Sequence, residues 1–216
     1  MKIYFIRHGE TQWNRMHKLQ GRSDIPLNDA GLAGARIASR ALLDVPFDLA
    51  LSSPLARAYK TAEIIAEPHG LTPHRVDLLK EMSFGTFEGT ELETENPDPS
   101  LEEKRQALRH WFEHPSGTVR LPEGENVRDV KDRVRSFLRQ DLIPREKQYA
   151  CVLVVAHGGI IRALDSILQN TPDEAFWSGG VLPNCGALVL NLEKGVFTEE
   201  ARLDLINGAR LDLING

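Results

Sequence analysis

Apolar and polar residues fall in blocks along this chain, and the blocks predict its elements. Lys2 to Ile6 reads as a short strand buried in a sheet. A polar, glycine-containing stretch from Gly9 to Leu27 predicts a loop. Asn28 is a helix-capping residue type, and Leu32, Ala35, Ala38 and Leu42 recur at helical spacing. Together they predict a helix to about Leu43. Asp48 to Ser52 predicts a second strand. Ser53-Pro54 then offers an N-cap and a proline in the first helical turn. The helix that follows carries Leu55, Ala58, Ala62 and Ile65 on one face and stops near Pro68-His69-Gly70. Thr72 to Val76 predicts a third strand.

From Leu78 to Tyr149 the pattern changes. This stretch is charged and strand-poor, with helical patterns over roughly Ser100–Glu113 and Asn126–Arg139. It predicts an insertion or cap over the sheet. Cys151-Val152-Leu153-Val154-Val155 is β-branched and apolar on both faces, as a central strand requires. A helix is predicted from Gly158-Gly159 to about Gln169. Ala187–Leu192 and Val196–Leu203 flank Lys194-Gly195 and predict a hairpin. Strands alternating with helices predict an α/β fold, a three-layer α/β/α sandwich with a mostly parallel central sheet and a helical cap insertion.

The chain ends on a repeat. Ala201 to Gly208 reads Ala-Arg-Leu-Asp-Leu-Ile-Asn-Gly, and Ala209 to Gly216 is identical. Asn207-Gly208 is a strong two-residue hairpin signal. The first copy is therefore expected to extend the terminal hairpin, and the second to fold back beside it or fray. The expected organisation is one domain over 1–200, with its insertion at about 78–149, and a repeat tail over 201–216.

Composition narrows the class. The 216 residues suit one domain, and 41% hydrophobic residues suffice for a core. A net charge of -5 argues against a general binder of nucleic acid or anionic membrane. Any anion site must then be a local positive pocket. Cys151 and Cys185 are far apart and suggest neither a disulfide framework nor a zinc knuckle. The first strand runs directly into Arg7-His8, without the apolar core and cleavage site of a signal peptide, and no run is long enough to span a bilayer. A cytoplasmic monomer or homodimer is expected.

The chemistry centres on Arg7-His8-Gly9-Glu10-Thr11, directly after the first strand. Strand C-termini are where open parallel sheets bind ligands. Arginine can fork two hydrogen bonds onto a phosphate. Histidine can act as nucleophile or acid–base at neutral pH. A second histidine, His157, sits at the end of the Cys151–Val155 strand before Gly158-Gly159. If those two strands are neighbours, His8 and His157 meet.

These elements resemble the histidine phosphatase superfamily, with its phosphoglycerate mutase-like fold. The match runs from Lys2 to about Leu192. It is carried by Arg7 to Thr11, Trp13-Asn14, Gln20-Gly21, Pro26-Leu27-Asn28 with Gly31, Ser52-Ser53-Pro54 with Arg57, Leu79-x-Glu81 with Gly85 and Glu88-Gly89, Pro122-x-Gly124-Glu125, and Ala156-His157-Gly158-Gly159 with Arg162. The resemblance implies that His8 is phosphorylated, that Arg7, Arg57 and His157 hold the phosphoryl group, and that Glu81 donates the proton. Asn14, Gln20, Gly21 and Gly158 are further candidates for contact with phosphate or substrate.

The residue types suit that chemistry. Passage through histidine splits one displacement into two. His8 must then be neutral at the attacking nitrogen, with its other nitrogen donating to a backbone carbonyl. Charge in flight needs preorganised donors, each worth on the order of 3 kcal/mol in comparable sites. Arg7 and Arg57 supply them, and His157 adds another, protonated beside the phosphate. Gly158 opens a helix whose N–H groups can face an anion, and Arg57 should converge with its own helix N-terminus there. A partly desolvated carboxyl near phosphate suits the acid, and Glu81 is preferred to the nearby Glu88.

No metal or cofactor is expected. His110 and His114 lie one helical turn apart without an evident third ligand, and Cys185 reads as a small buried residue. The expected partner is a small phosphorylated metabolite. Phe84-Gly85-Thr86-Phe87-Glu88-Gly89 resembles the phosphatase branches more than the mutases. Phosphoglycerate mutase-type transfer remains the alternative. A catalytically silent phosphate-binding regulatory module is the alternative from another class. Met82, Phe84, Phe87, Trp111 and Phe112 are candidates for an apolar wall over the pocket, with Arg105 or Arg109 available for a second anionic group. The acidic run Thr90 to Asn96 is unusual after that motif.

Overall fold

The computed structural model of the chain describes residues 1–92 and 98–211. Most of the acidic run after Thr90, at 93–97, and the end of the second octapeptide, at 212–216, lie outside the described residues.

Seven strands form one sheet: β1 (Lys2–Arg7), β2 (Leu49–Ser52), β3 (His74–Arg75), β4 (Cys151–Ala156), β5 (Gly186–Glu193), β6 (Val196–Asp204) and β7 (Ala209–Arg210). Their order is β3-β2-β4-β1-β5-β6-β7. The first four in that order run parallel, and β5, β6 and β7 continue the sheet as antiparallel neighbours. The helices are α1 (Gln12–Arg15), α2 (Asp29–Ala41), α3 (Ala56–Ala66), α4 (Glu102–Glu113), α5 (Val127–Phe137) and α6 (Gly158–Leu168).

The β period of two divides the core between the sheet faces. Val152, Val154 and Ala156 join Ile3 and Phe5 in one cluster, covered by Val130, Val134 and Phe137 of α5 and by Ile160 and Leu164 of α6. Leu153 and Val155 join Ile6 in the other, covered by Ala38 of α2 and Ala58, Ala62 and Ile65 of α3. Every residue of β4 is buried, which explains its unbroken apolar run. Since β2 and β4 are neighbours, their following helices α3 and α6 leave toward opposite faces. That divergence opens a crevice at the strand C-termini, where ligands bind in such sheets.

The charged stretch at 78–149 is used in two ways. α5 packs beside α6 as a layer of the sandwich. Its start is fixed by a reciprocal cap, with Asp129 N–H donating to Asn126 Oδ1 and Asn126 N–H to Asp129 Oδ2. α4 stands over the crevice and brings Phe112 to it.

Three local expectations need correction. The third strand shrinks to His74–Arg75, because Pro73 has no N–H and the strand lies on the sheet edge. Ser53 does not cap α3. The Ala56 N–H is taken by Asp24 Oδ1 at 2.7 Å, and the Ser53 hydroxyl turns to His157 instead. The turn after β6 spans Leu205 to Gly208 rather than two residues, since Asp204 pairs with Ala209. Asp204 Oδ1 accepts from the N–H groups of Ile206 and Asn207, and Leu205 is buried below them. β7 returns along β6, and Gly208 takes the left-handed backbone that turn requires (φ +68°).

Candidate active site

β1 and β4 pair in register, Arg7 opposite Ala156, so the next residues, His8 and His157, emerge side by side. Their ring centroids are 5.1 Å apart. His8 N–H donates to Ala156 O at 3.0 Å, which extends the strand ladder into the site. The following loop presses on α2. A side chain at Gly9 would meet Gly31 O at 2.6 Å, so this approach requires glycine.

The His8 ring is fixed from both sides. Nδ1 lies 2.7 Å from Gly9 O, which can only accept. Arg57 Nε, which can only donate, lies 3.3 Å from Nε2. Nδ1 therefore carries the proton and Nε2 the lone pair. Burial, then Arg57 and Arg7, hold the His8 pKa well below 6.5, so the ring is neutral.

His157 is fully buried, with Nε2 2.7 Å from Ser53 Oγ. Ser53 Oγ accepts from Leu55 N–H and has its own proton to give to His157 Nε2 in the tautomer where Nε2 carries the lone pair. In that tautomer Nδ1–H is the donor, and Nδ1 has no partner among the described residues. Without an anion beside it, the His157 ring is held neutral. Burial first, then Arg57, depress its pKa well below 6.5. A neutral Nδ1–H can still donate to a phosphate.

Arg57 is fully buried on the first turn of α3. Its Nη1 and Nη2 donate to Ser23 O (2.9 Å) and Gly21 O (2.7 Å). The N-terminus of α3 faces Asp24 and not the pocket, so the expected convergence of Arg57 with that N-terminus does not occur. Arg7 Nη1 donates to Leu182 O at 2.6 Å, and its buried Nε has no partner among the described residues.

Glu81 is buried against the start of α6. Oε2 accepts from Gly159 N–H at 3.0 Å and Oε1 from Met82 N–H at 2.8 Å. Its pKa is raised. Burial outweighs those two hydrogen bonds and the charges of Arg57 and Arg7. Glu88 has a different task. Its carboxylate accepts from the N–H groups of Arg22, Ser23 and Phe84 and from Ser23 Oγ, which folds the 21–23 loop.

Asn14 and Gln20 are organised by Thr11. Thr11 N–H donates to Asn14 Oδ1 at 3.1 Å, and Thr11 Oγ1 donates to Gln20 Oε1 at 2.8 Å. With both amide oxygens occupied, the NH₂ groups are left for other acceptors. Gln20 Nε2 is buried with no partner among the described residues. Buried donors on Arg7, Gln20 and Trp177, and His157 Nδ1–H in the tautomer with its lone pair on Nε2, are thus without a partner among the described residues and available to an anion.

A cavity of about 430 Å³ opens above these groups, lined at one end by Arg7, His8, Asn14, Gln20, Glu81 and Gly158. Arg57, His157 and Gly21 do not line it. Gly21 is a packing glycine whose added side chain would meet Glu88 Oε1 at 2.2 Å, so its expected substrate contact is replaced by its carbonyl's hold on Arg57. Of the candidate apolar wall, Phe84 and Phe112 reach the cavity, while Met82, Phe87 and Trp111 are buried in the core. Arg105 and Arg109 are drawn to Glu102 and lie outside it.

Several site residues escaped the sequence reading. Thr11 stands within the motif with no role that its type reveals, and Ser53 before a proline has the pattern of a cap. Arg133 of α5 donates to the carbonyls of Leu78, Lys80 and Glu81 and pairs with Glu125 (2.8 Å), which fixes the backbone that carries Glu81. Trp177 lines the cavity from a segment with no recognisable pattern.

The fold and site together define an α/β protein with paired histidines and buried arginines at a strand-end crevice. A family model for the histidine phosphatase superfamily (branch 1) matches residues 3–204. The chain belongs to this superfamily and is an enzyme of the histidine phosphatase class. It is 32% identical over 192 residues to a Hydrogenobacter thermophilus protein provisionally named phosphoserine phosphatase 2, covering 89% of this chain and 90% of that one. It is 36% identical over 177 residues to a probable phosphoglycerate mutase of Escherichia coli, covering 80% and 76%. Among solved structures it is similar to the alpha-ribazole phosphatase of Shigella flexneri (27% identity, TM-score 0.78, 93% and 95% covered). It is also similar to a mycobacterial glucosyl-3-phosphoglycerate phosphatase (26%, TM-score 0.75, 92% and 96%). Among the described residues no helix is long and apolar enough to cross a membrane.

Proposed function

We propose that the protein hydrolyses small phosphate monoesters through a phosphohistidine on His8. The observation that carries this reading is the pinned His8 ring, with Nδ1 held by Gly9 O and a lone pair on Nε2. In the first step Nε2 attacks phosphorus as the ester P–O bond breaks. Glu81 gives its proton to the departing oxygen. The raised Glu81 pKa keeps a protonated fraction at higher pH than an ordinary carboxyl would. Arg57 Nε must release His8 Nε2 for this attack and turn to the incoming group. Arg7 and the amides of Asn14 and Gln20 from the cavity wall, and Arg57 and His157 Nδ1 from beneath it, then donate to the phosphoryl oxygens as charge moves among them. In the second step water attacks phosphorus and yields its proton to the Glu81 carboxylate. The P–N bond breaks and its electron pair returns to Nε2. The products are the alcohol and inorganic phosphate, and these steps need no metal or cofactor.

Phosphate-labelled substrate, quenched during turnover, should give an acid-labile, base-stable adduct on the peptide containing His8. His8→Ala should lose the adduct and at least about 10³-fold in kcat while remaining folded. An adduct elsewhere, or an active variant, overturns the reading. Mutase-type return of the phosphoryl group to substrate is the second reading, favoured by the similarity to the Escherichia coli protein. It requires label to pass to a second ester instead of to free phosphate. A silent binding module would give neither.

A further inference from the structure

We propose that the cavity beyond the phosphate end selects esters whose alcohol carries an apolar, ring-bearing group and disfavours esters of hydroxy acids. This rests on the phosphatase reading above. The cavity is also lined by Phe84, Phe112, Trp177, Leu19 and Leu92, with Val181 close to Gly158. Three of these form a continuous run of rings. Phe84 and Phe112 have centroids 6.3 Å apart, and Phe112 and Trp177 5.1 Å. Buried Trp111 backs all three, and buried Phe176 backs Trp177 edge to face at 4.6 Å. Arg162 of α6 donates to Phe176 O and so ties this segment to the helix that starts at the site. The wall is therefore in place before substrate arrives.

The charges support the same reading. Among the described residues, Arg7 and Lys18 are the arginine and lysine that line the cavity. Arg7 belongs to the phosphate end. Lys18 Nζ lies 3.4 Å from the Glu91 carboxylate and is paired with it. His17 is the remaining basic group on the rim. A substrate carboxylate held against this wall would give up water for at most the single neutral N–H of Trp177 Nε1, with no ion pair to replace it. A hydrocarbon ring would gain from burial and from edge contacts with the three rings.

The test compares kcat/KM for ethyl phosphate, 3-phenylpropyl phosphate, 3-phosphoglycerate and O-phosphoserine. All leave as unactivated alkoxides, so the ranking reports the alcohol's fit and not its leaving ability. The phenylpropyl ester is expected to lead the other three by about tenfold or more. Phe112→Ala and Trp177→Ala should lower the phenylpropyl-to-ethyl ratio severalfold, mainly through KM for the phenylpropyl ester. Phe112→Leu and Trp177→Phe should retain most of the ratio, and they report on the wall if an alanine variant fails to fold. A charged ester in first place, equal rates for ethyl and phenylpropyl esters, or a uniform loss on both in the variants overturns the proposal. Turnover of ethyl phosphate without the preference overturns this inference alone. No turnover of any ester, with His8 unlabelled, overturns the phosphatase reading and this inference with it.

Discussion

The two ends of the cavity are built by different physics. At the phosphate end the side chains leave the ends of neighbouring strands, and hydrogen bonds fix them individually. His8 is held at both ring nitrogens, Arg57 by two carbonyls, and Glu81 by two N–H groups. At the other end Phe84, Phe112 and Trp177 come from segments far apart in sequence and meet through ring contacts. Hydrogen bonds specify direction to a few tenths of an ångström, which phosphoryl transfer needs. Ring packing specifies shape and polarity and tolerates substitution, which suits a region that sorts substrates. Substitution within the ring cluster therefore disturbs the hydrogen-bonded groups less than substitution among them.

The comparison can be broken most sharply at the phosphate end. Glu81→Gln should cost about 10²–10³-fold in kcat on an alkyl phosphate and far less on para-nitrophenyl phosphate, whose leaving group needs little protonation. Equal losses would assign Glu81 a positioning role. Arg57→Ala should lower kcat by about 10²-fold. It should also destabilise the fold by about 2–3 kcal/mol, because two buried carbonyls lose a charged donor. Chemical denaturation of the variant separates the two effects. Thr11→Val removes the hydroxyl that turns Gln20 and caps α1, so a loss of about tenfold in kcat is expected together with about 1 kcal/mol of stability. An unchanged kcat would release Gln20 from the phosphate.

Acid stability probes the same end without substrate. His8 and His157 are neutral in the fold, with pKa values depressed below 6.5. Their stabilising contribution is fully present above the unfolded value and is lost as pH falls below about 6.5 toward the folded values. Melting temperature should drop over that window, and less steeply in His157→Asn. Glu81 has the opposite sign. Its raised pKa gives stability that is present below the ordinary carboxyl value and lost as pH rises through the folded value. The smallest expected effect is remote from both ends. Deleting Ala209 to Gly216 removes the two-residue pairing of β7 and should leave activity unchanged and melting temperature within a few degrees.

Local sequence pattern was enough for the sandwich and for the meeting of His8 and His157 at its strand ends. An apolar run such as Val152 to Val155 can only be buried on both faces, so it implies helices above and below it. His8 and His157 then follow from strand ends, because a parallel pair in register aligns the residues that come next. Local patterns carry that information within a few residues. The tertiary structure decided what depends on distant partners. Ser53 resembled a cap until His157 took its hydroxyl and Asp24 took the helix end. Gly21 resembled a substrate contact until its carbonyl was found on Arg57. Asn126–Arg139 resembled part of a cap, but Val130, Val134 and Phe137 found their burial on the sheet. Trp177 had no signal, since an aromatic residue in an irregular segment has no period to reveal its direction. Periodicity fixes which face a residue occupies within its own element. Only packing fixes what that face meets, because the competing partners lie tens of residues away and are chosen by the fold as a whole.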